Sequence, residues 1–298
     1  MSTGRAPSMS GDVVRDERRG ILSPGPPRLG GLGVHAVLIG YSLLAVLPIA
    51  LIVLNSFKAR RAIFGAPFAP PSGSTFDLIG YHTVFARSHF LDYFMNSIIV
   101  TSASVLLILA LGAMAGHALA EYRLPGGGLI FLFLIIGIMI PIRLGTVSLL
   151  RLMTQLGLTN SLVALILVYT AMGLPVAIFI LRQMFEQVPR ELKDAARIDG
   201  ASEYRVFLLL LPLVRPAVGT VAVFSMLPVW NDLWFPLILA PGERTKTVTL
   251  GAQQFLGQFV NDWNAVLAAL TLAMIPVFVL YLIFARQLLA GLTAGTAR

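Results

Sequence analysis

A chain of 298 residues in which 57% of side chains are hydrophobic and only 12% charged cannot clothe a soluble fold, since a soluble domain carries roughly a quarter charged residues. The net charge of +8 is not gathered into basic clusters with interleaved aromatics, which argues against a nucleic-acid partner. The Arg and Lys residues lie instead in short hydrophilic segments, where such charge sets orientation in a bilayer and meets anionic lipid head groups. No cysteine is present, so a disulfide framework, a thiolate metal site and a cysteine nucleophile are all excluded.

Residues 1–32 are polar, with Arg15-Asp16-Glu17-Arg18-Arg19 followed by Ser23-Pro24-Gly25-Pro26-Pro27, the composition of a disordered tail. The apolar run after them lacks a small-residue cleavage site, so the start does not read as a signal peptide. A first span is predicted over Val34–Leu54, then a long outer loop over 55–94 with Pro67, Pro70 and Pro71. A second span covers Asn96–Ala120, and a third Gly127–Leu144 with Pro141 and Arg143 near its end. Residues 145–160 read as a short amphipathic helix on the outer surface, with Gly157 as its C-cap and Asn160 or Ser161 as the next N-cap. Ser161–Leu181, Pro216–Ala240 and Ala265–Phe284 complete six spans. Each is helical, because no other single segment satisfies its own backbone in lipid. The predicted fold is therefore an all-α membrane protein, with residues 33–298 as its transmembrane domain. With the N-terminus inside, fourteen of the 22 Arg and Lys residues fall in inner segments, which places both termini in the cytoplasm even though Lys58, Arg60 and Arg61 then lie outside.

The longest charged run between spans is 185–212, FEQVPRELKDAARIDGASEYRVFLLLLP. Pro189 suits a first helical turn, and Glu191 and Asp194 suit the positive end of the helix dipole. Leu192, Ala195, Ala196 and Ile198 make an apolar side, Gly200 can take a left-handed cap, and a second helix can restart at Ser202. Small residues flanked by charge permit close approach by another protein surface. A helix lying along the membrane surface has the same pattern.

The segment Asp194–Ser202, DAARIDGAS, followed by Phe207 and Leu211-Pro212, resembles the EAA loop of ATP-binding-cassette importer permeases, with Asp194 where that family most often has Glu. Asn55-Ser56-Phe57-Lys58, Asn96-Ser97, Leu156-Gly157-Leu158 with Asn160, Trp230-Asn231-Asp232 and Gly291-Leu292-Thr293-Ala294-Gly295 extend the likeness over residues 34–298. Together they resemble the six-span inner-membrane subunit of carbohydrate-uptake permeases of the maltose and glycerol-phosphate type. The resemblance implies a cytoplasmic coupling-helix loop that docks on an ATPase subunit, with Glu191, Asp194, Ala195, Ala196, Asp199, Gly200 and Ala201 as coupling residues. It implies as partners a second permease subunit, two ATP-binding-cassette ATPase subunits and an extracytoplasmic solute-binding protein, in the cell (inner) membrane. In one respect the chain departs from the pattern: the interval Phe207–Pro212 is one residue short, and one residue rotates a helix by about 100°.

No G-x-x-x-x-G-K-[ST] loop occurs, since Lys58, Lys193 and Lys246 each lack a preceding Gly. The chain is thus expected to catalyse nothing and to hold no cofactor, with ATP and Mg bound by the partner ATPase. His35, His82, His89 and His117 show no metal-ligand spacing, and no Ser/His/Asp arrangement of a membrane hydrolase emerges. A charged group within a span is costly and often functional. Asp232, beside Trp230, Asn231 and Trp234, is the candidate substrate-pathway cluster, offering a sugar both hydrogen bonds and aromatic stacking. The same four residues would equally suit packing against a partner permease. Arg143 is expected to snorkel at the outer mouth. The reading is a sugar or oligosaccharide importer subunit working by alternating access. The alternatives are another solute, such as glycerol phosphate or a polyamine, and an ion-coupled secondary transporter, which would want paired acids or broken helices at mid-membrane.

Overall fold

A computed structural model describes residues 29–122, 125–256 and 261–294, so most of the expected tail 1–32, together with Arg123 and Gly295, lies outside the described residues. The described chain is all helical. It divides into two units, Met1–Ala50 and Leu51–Arg298. The first is, where described, the apolar front of α1 (Leu29–Ser56). The second holds every other described helix.

In the second unit α1 ends at Ser56 and gives way to α2 (Arg60–Gly65) and α3 (Ile79–Arg87), so the expected outer loop is partly helical. Then come α4 (Phe90–Glu121), α5 (Gly127–Met139), a 3-10 turn at Ile142–Gly145, α6 (Thr146–Gln155) and α7 (Leu162–Glu186). Two short helices come next, α8 (Arg190–Ile198) and α9 (Glu203–Leu210). The chain ends with α10 (Arg215–Asn231), α11 (Trp234–Leu239), α12 (Val248–Gln253) and α13 (Trp263–Ala294).

Among the described residues α1, α4 and α7 are each long and apolar enough to cross a membrane, and the count rises to five if two bent pairs each form one span. The sixth expected span falls on the shorter apolar stretch Trp263–Val279 and beyond. The third and fifth expected spans are not continuous helices. Before Pro141, Ile140 is extended, as the ring of a following proline demands, and α5 meets the α6 segment at 85°. The fifth stops at Asn231, with Asp232 extended, and restarts at Trp234.

The axis of the unit is the α4–α7 pair. The buried residues of α4 include Tyr93, Asn96, Val100, Ser104, Ile108, Gly112 and Gly116, a row at helical spacing. A Cβ at Gly112 would lie 2.9 Å from the Ala177 side chain, and one at Gly116 would lie 3.0 Å from the backbone nitrogen of Arg182. Small residues that let helix backbones touch are what membrane packing selects, since lipid is as apolar as leucine and only contact distinguishes the two. Leu181, Phe185, Val206, Leu210, Val214 and Val221 extend this core through α9 and α10.

Several turns match the sequence closely. Gly157 has φ +69 and Asn160 φ +55, and the Ser161 hydroxyl accepts the N–H of Val163 at 3.0 Å. The Asn-Ser-Phe-Lys motif after α1 is a buried knot: Lys58, 1% exposed, donates to Asn55 Oδ1 at 3.0 Å and to the carbonyls of Ala66 and Pro67. Burial pushes the Lys58 ammonium below the usual lysine range. The carbonyl oxygen of Lys58 in turn accepts from the Asn264 amide at 2.6 Å, tying this loop to α13.

The close approach of α4 and α7 is directly testable. Gly112→Leu is expected to lower stability by about 1–3 kcal/mol through overpacking. Gly128→Leu, at a position with nothing within 4 Å, is expected to leave stability unchanged. Thermal unfolding in detergent compares the two.

Candidate functional site

Polar contacts gather at the two ends of the unit. At one end α4 begins, and loop 241–247 is pinned across it. The Asn96 amide donates to the carbonyls of Arg244 and Lys246 at 3.0 and 2.9 Å, and the Tyr93 hydroxyl donates to Glu243. Asn160 Oδ1 accepts from Gly242 N at 2.7 Å and from the Thr245 hydroxyl at 2.6 Å. Near this end the two helix breaks meet. Asp232 accepts the Tyr169 hydroxyl at 2.8 Å and the first N–H groups of α11, from Phe235 at 3.0 Å and Trp234 at 3.4 Å. Arg143, on the turn after Pro141, reaches the same carboxylate at 3.7 Å. The Trp234 indole donates to Thr146 Oγ1 at 3.0 Å, a second tie between the breaks.

Below these ties lies a cavity of about 550 Å³. Arg143, Tyr169, Asn231, Asp232 and Ser225 supply its polar wall, while Ile108, Met172, Val176, Val221 and Phe224 supply the apolar one. Pockets of a few hundred Å³ with an apolar lining and a few convergent polar groups are the usual form of a small-molecule site. Of the four residues expected as a pathway cluster, Asn231 and Asp232 line this cavity. Trp234 borders the same break without lining it. Trp230 does not join them: it is buried, and its indole donates to the Ala273 carbonyl at 3.1 Å in α13. Four residues of unbroken helix would keep the two tryptophans on one face, but the break at Asp232 lies between them, so their spacing in sequence could not sort them. Arg143, expected to snorkel, lines the cavity beside Asp232. Tyr169 is a site residue that sequence reasoning missed; a hydroxyl-bearing aromatic within an apolar span was the available signal.

At the other end α8 and α9 fold against the last turns of α4 and α7. Gly200 takes φ +79 just past the end of α8, and Ser202 caps α9 by accepting the Arg205 N–H at 3.4 Å. Of the expected coupling residues Glu191, Asp194, Ala195, Asp199 and Gly200 are exposed. Ala196 and Ala201 are half-buried and pack on the core instead. The outward apolar side of α8 is therefore Leu192, Ala195 and Ile198, with Ile198 86% exposed. Its inward side is charged: Lys193, 4% exposed, and Arg197 meet Glu121. The Arg197 guanidinium is pushed above its already high range by bonds to Glu203 and then Glu121, which keeps it ionised at every accessible pH. The short interval from Phe207 to Pro212 runs into a turn, 211–214, between helices set at 77°, so it has no continuous helix to rotate.

With this geometry in hand, comparison with known proteins defines the class. Residues 79–293 match the family described as binding-protein-dependent transport system inner membrane component, and the chain belongs to that family. Among its relatives is the diacetylchitobiose uptake system permease protein NgcG of Streptomyces coelicolor, 32% identical over 89% of this chain and 88% of that protein. The arabinooligosaccharides transport system permease protein AraQ of Halalkalibacterium halodurans is 33% identical over 85% of this chain and 91% of its own length. The fold is shared with a chain from the crystal structure of a bacterial ABC transporter involved in import of the acidic polysaccharide alginate. That likeness has a TM-score of 0.75 at 22% identity and covers 89% of this chain and 98% of the other. Broken helices by themselves would also suit an ion-coupled carrier; family membership places the chain among binding-protein-dependent systems.

The Asp232 junction predicts a graded response. Asp232→Ala leaves the Tyr169 hydroxyl and two α11 N–H groups without their acceptor. It is expected to cost about 2 kcal/mol, and Asp232→Asn, which keeps a carbonyl acceptor, less. Melting temperatures of the two variants in detergent check the order.

Proposed function

We propose that this chain is one of two permease subunits of an ATP-driven importer for a sugar or oligosaccharide, in the cell membrane with both termini cytoplasmic. The observation that carries the proposal is its two-ended construction. A cavity with converging hydroxyl, amide, carboxylate and guanidinium groups lies toward one end. A charged helical pair with an outward apolar ridge lies at the other. Sugars are recognised by such polar groups set among apolar ones. The family relatives named for oligosaccharide uptake support the same substrate class.

In this reading α8 and α9 are the coupling helices. Leu192, Ala195 and Ile198 enter a cleft on a cytoplasmic ATPase, and Glu191, Asp194 and Asp199 fix its orientation. ATP and Mg are held by that partner, and this chain performs no chemistry of its own. A solute-binding protein delivers the sugar from outside. Closure of two ATPase subunits then drives the permease pair between inward-facing and outward-facing states through six spans in each importer subunit of this kind. Moving such a balance from 1:99 to 99:1 takes about 5.5 kcal/mol, within the reach of ATP binding and hydrolysis. Because Asp232 and Arg143 neutralise one another at the cavity wall, the site suits an uncharged solute better than glycerol phosphate or a polyamine.

Two experiments test the proposal. Reporters fused after Arg19 and after Arg298 should read cytoplasmic, and one after Ser72 external; an external C-terminus contradicts the topology. Gly200→Val opposes a backbone at φ +79, and Ala195→Trp enlarges the outward ridge. Both are expected to abolish uptake and weaken copurification of the ATPase while membrane insertion is retained. Undiminished uptake in both variants would remove the coupling role from this segment.

A further inference from the structure

Lys193 is the anomaly of the 185–212 segment. It sits in a short helix whose neighbours Glu191, Leu192, Asp194 and Ala195 are all exposed, yet only 4% of it reaches solvent. A buried ammonium is tolerated only where it is paired and hydrogen-bonded. Its partner lies outside the segment, at the last residue of α4: Lys193 Nζ donates to Glu121 Oε2 at 2.7 Å and to the Phe185 carbonyl at 3.4 Å. Four residues on, one turn along the same face, Arg197 Nη2 donates to the other oxygen of Glu121 at 2.7 Å. Both carboxylate oxygens are thus taken by α8, and the Glu121 side chain is only 11% exposed. Arg197 continues the chain of charge to Glu203 on α9 at 2.9 Å, and Glu203 also accepts the Tyr122 hydroxyl at 2.9 Å.

The end of α4 is therefore fastened to α8 by a directional, buried joint rather than by apolar contact alone. Thirteen residues up the same helix, about 20 Å at 1.5 Å per residue, Ile108 forms part of the cavity wall. Between the two points α4 is locked to α7 at Gly112 and Gly116, and α7 contributes Tyr169, Met172 and Gly173 to the same cavity. A displacement of α8 has a rigid route to the cavity, and Glu121 is its first link.

We propose that Glu121 is a positioning residue for energy coupling: through Lys193 and Arg197 it makes α8 and the α4–α7 pair move as one body. The proposal rests on the reading of α8 as the helix that contacts the ATPase. Glu121 makes no contact with solute or nucleotide in this role, and its work is done through the two cations it holds.

The test uses the assembled transporter, with its partner permease, ATPase and binding protein, in proteoliposomes, and reads solute moved per ATP hydrolysed. Glu121→Gln leaves the Lys193 charge uncompensated and is expected to lower that ratio about tenfold while the subunits copurify in normal proportion. Glu121→Gln combined with Lys193→Gln restores a neutral amide pair and is expected to recover the ratio to within about threefold of the unmodified protein, as two coupled sites should. An unchanged ratio in Glu121→Gln overturns the proposal, as does a double variant no better than the single. A loss of transport matched by an equal loss of assembled complex overturns it too, because the residue then only holds the fold. Ala195→Trp runs in parallel. If it uncouples the transporter and Glu121→Gln does not, the present proposal alone fails; if neither has an effect, the assignment of α8 fails with it.

Discussion

The close approach of α4 and α7 is the contact on which the rest of the structure depends. Lipid offers no hydrophobic gain for bringing two apolar helices together, so their association rests on fit. The fit is made by Gly112 and Gly116 against Ala177, Leu181 and the Arg182 backbone, and by Gly173 against Ile108. Two long helices held this tightly transmit displacement instead of absorbing it, because a close-packed interface has few intermediate arrangements. The cavity and the charged pair of short helices lie toward opposite ends of this pair, and each takes residues from α7 or the helices packed on it.

Polarity is concentrated where the helices end or break. Asp232 lies at a break and is satisfied by a phenol, two backbone N–H groups and a guanidinium. Glu121 lies at a helix end and is satisfied by two cations. Neither carboxylate is left alone, as the cost of an unpaired charge away from water requires. The two sites differ in what surrounds them. Around Asp232 the partners leave an open cavity, which suits a site that exchanges contacts with a solute. Around Glu121 the two cations take both carboxylate oxygens at the edge of a polar pocket, and with Glu203 they knit three helices together, which suits a joint.

Much of this was legible in the sequence, for reasons that are local. Long apolar runs gave α1, α4 and α7, because a bilayer leaves one solution to backbone hydrogen bonding. Gly157, Ser161, Gly200 and Ser202 marked turns and caps, since the left-handed backbone and the capping hydroxyl each depend on one residue type. What escaped depends on partners distant in sequence. The breaks at Ile140 and Asp232 fall inside runs long enough to read as single spans, and the hydrophobicity that announces a helix says nothing of where it bends. Trp230 and Trp234 look equivalent in the sequence, but α13 takes the first and the Thr146 hydroxyl the second. Ala195 and Ala196 look equivalent too, until the burial of Lys193 fixes which side of α8 turns inward. A lysine in a hydrophilic segment reads as a solvated charge, and only Glu121, 72 residues earlier, makes it a buried one.

The central claim is that solute movement through this chain draws on ATP hydrolysed by a partner and not on an ion gradient. The most direct measurement is solute accumulation in proteoliposomes containing the complete complex and its binding protein, with ATP supplied or with a proton or sodium gradient imposed instead. The account predicts accumulation that requires ATP and the binding protein and persists when both gradients are collapsed. Accumulation driven by a gradient in the absence of ATP would contradict it.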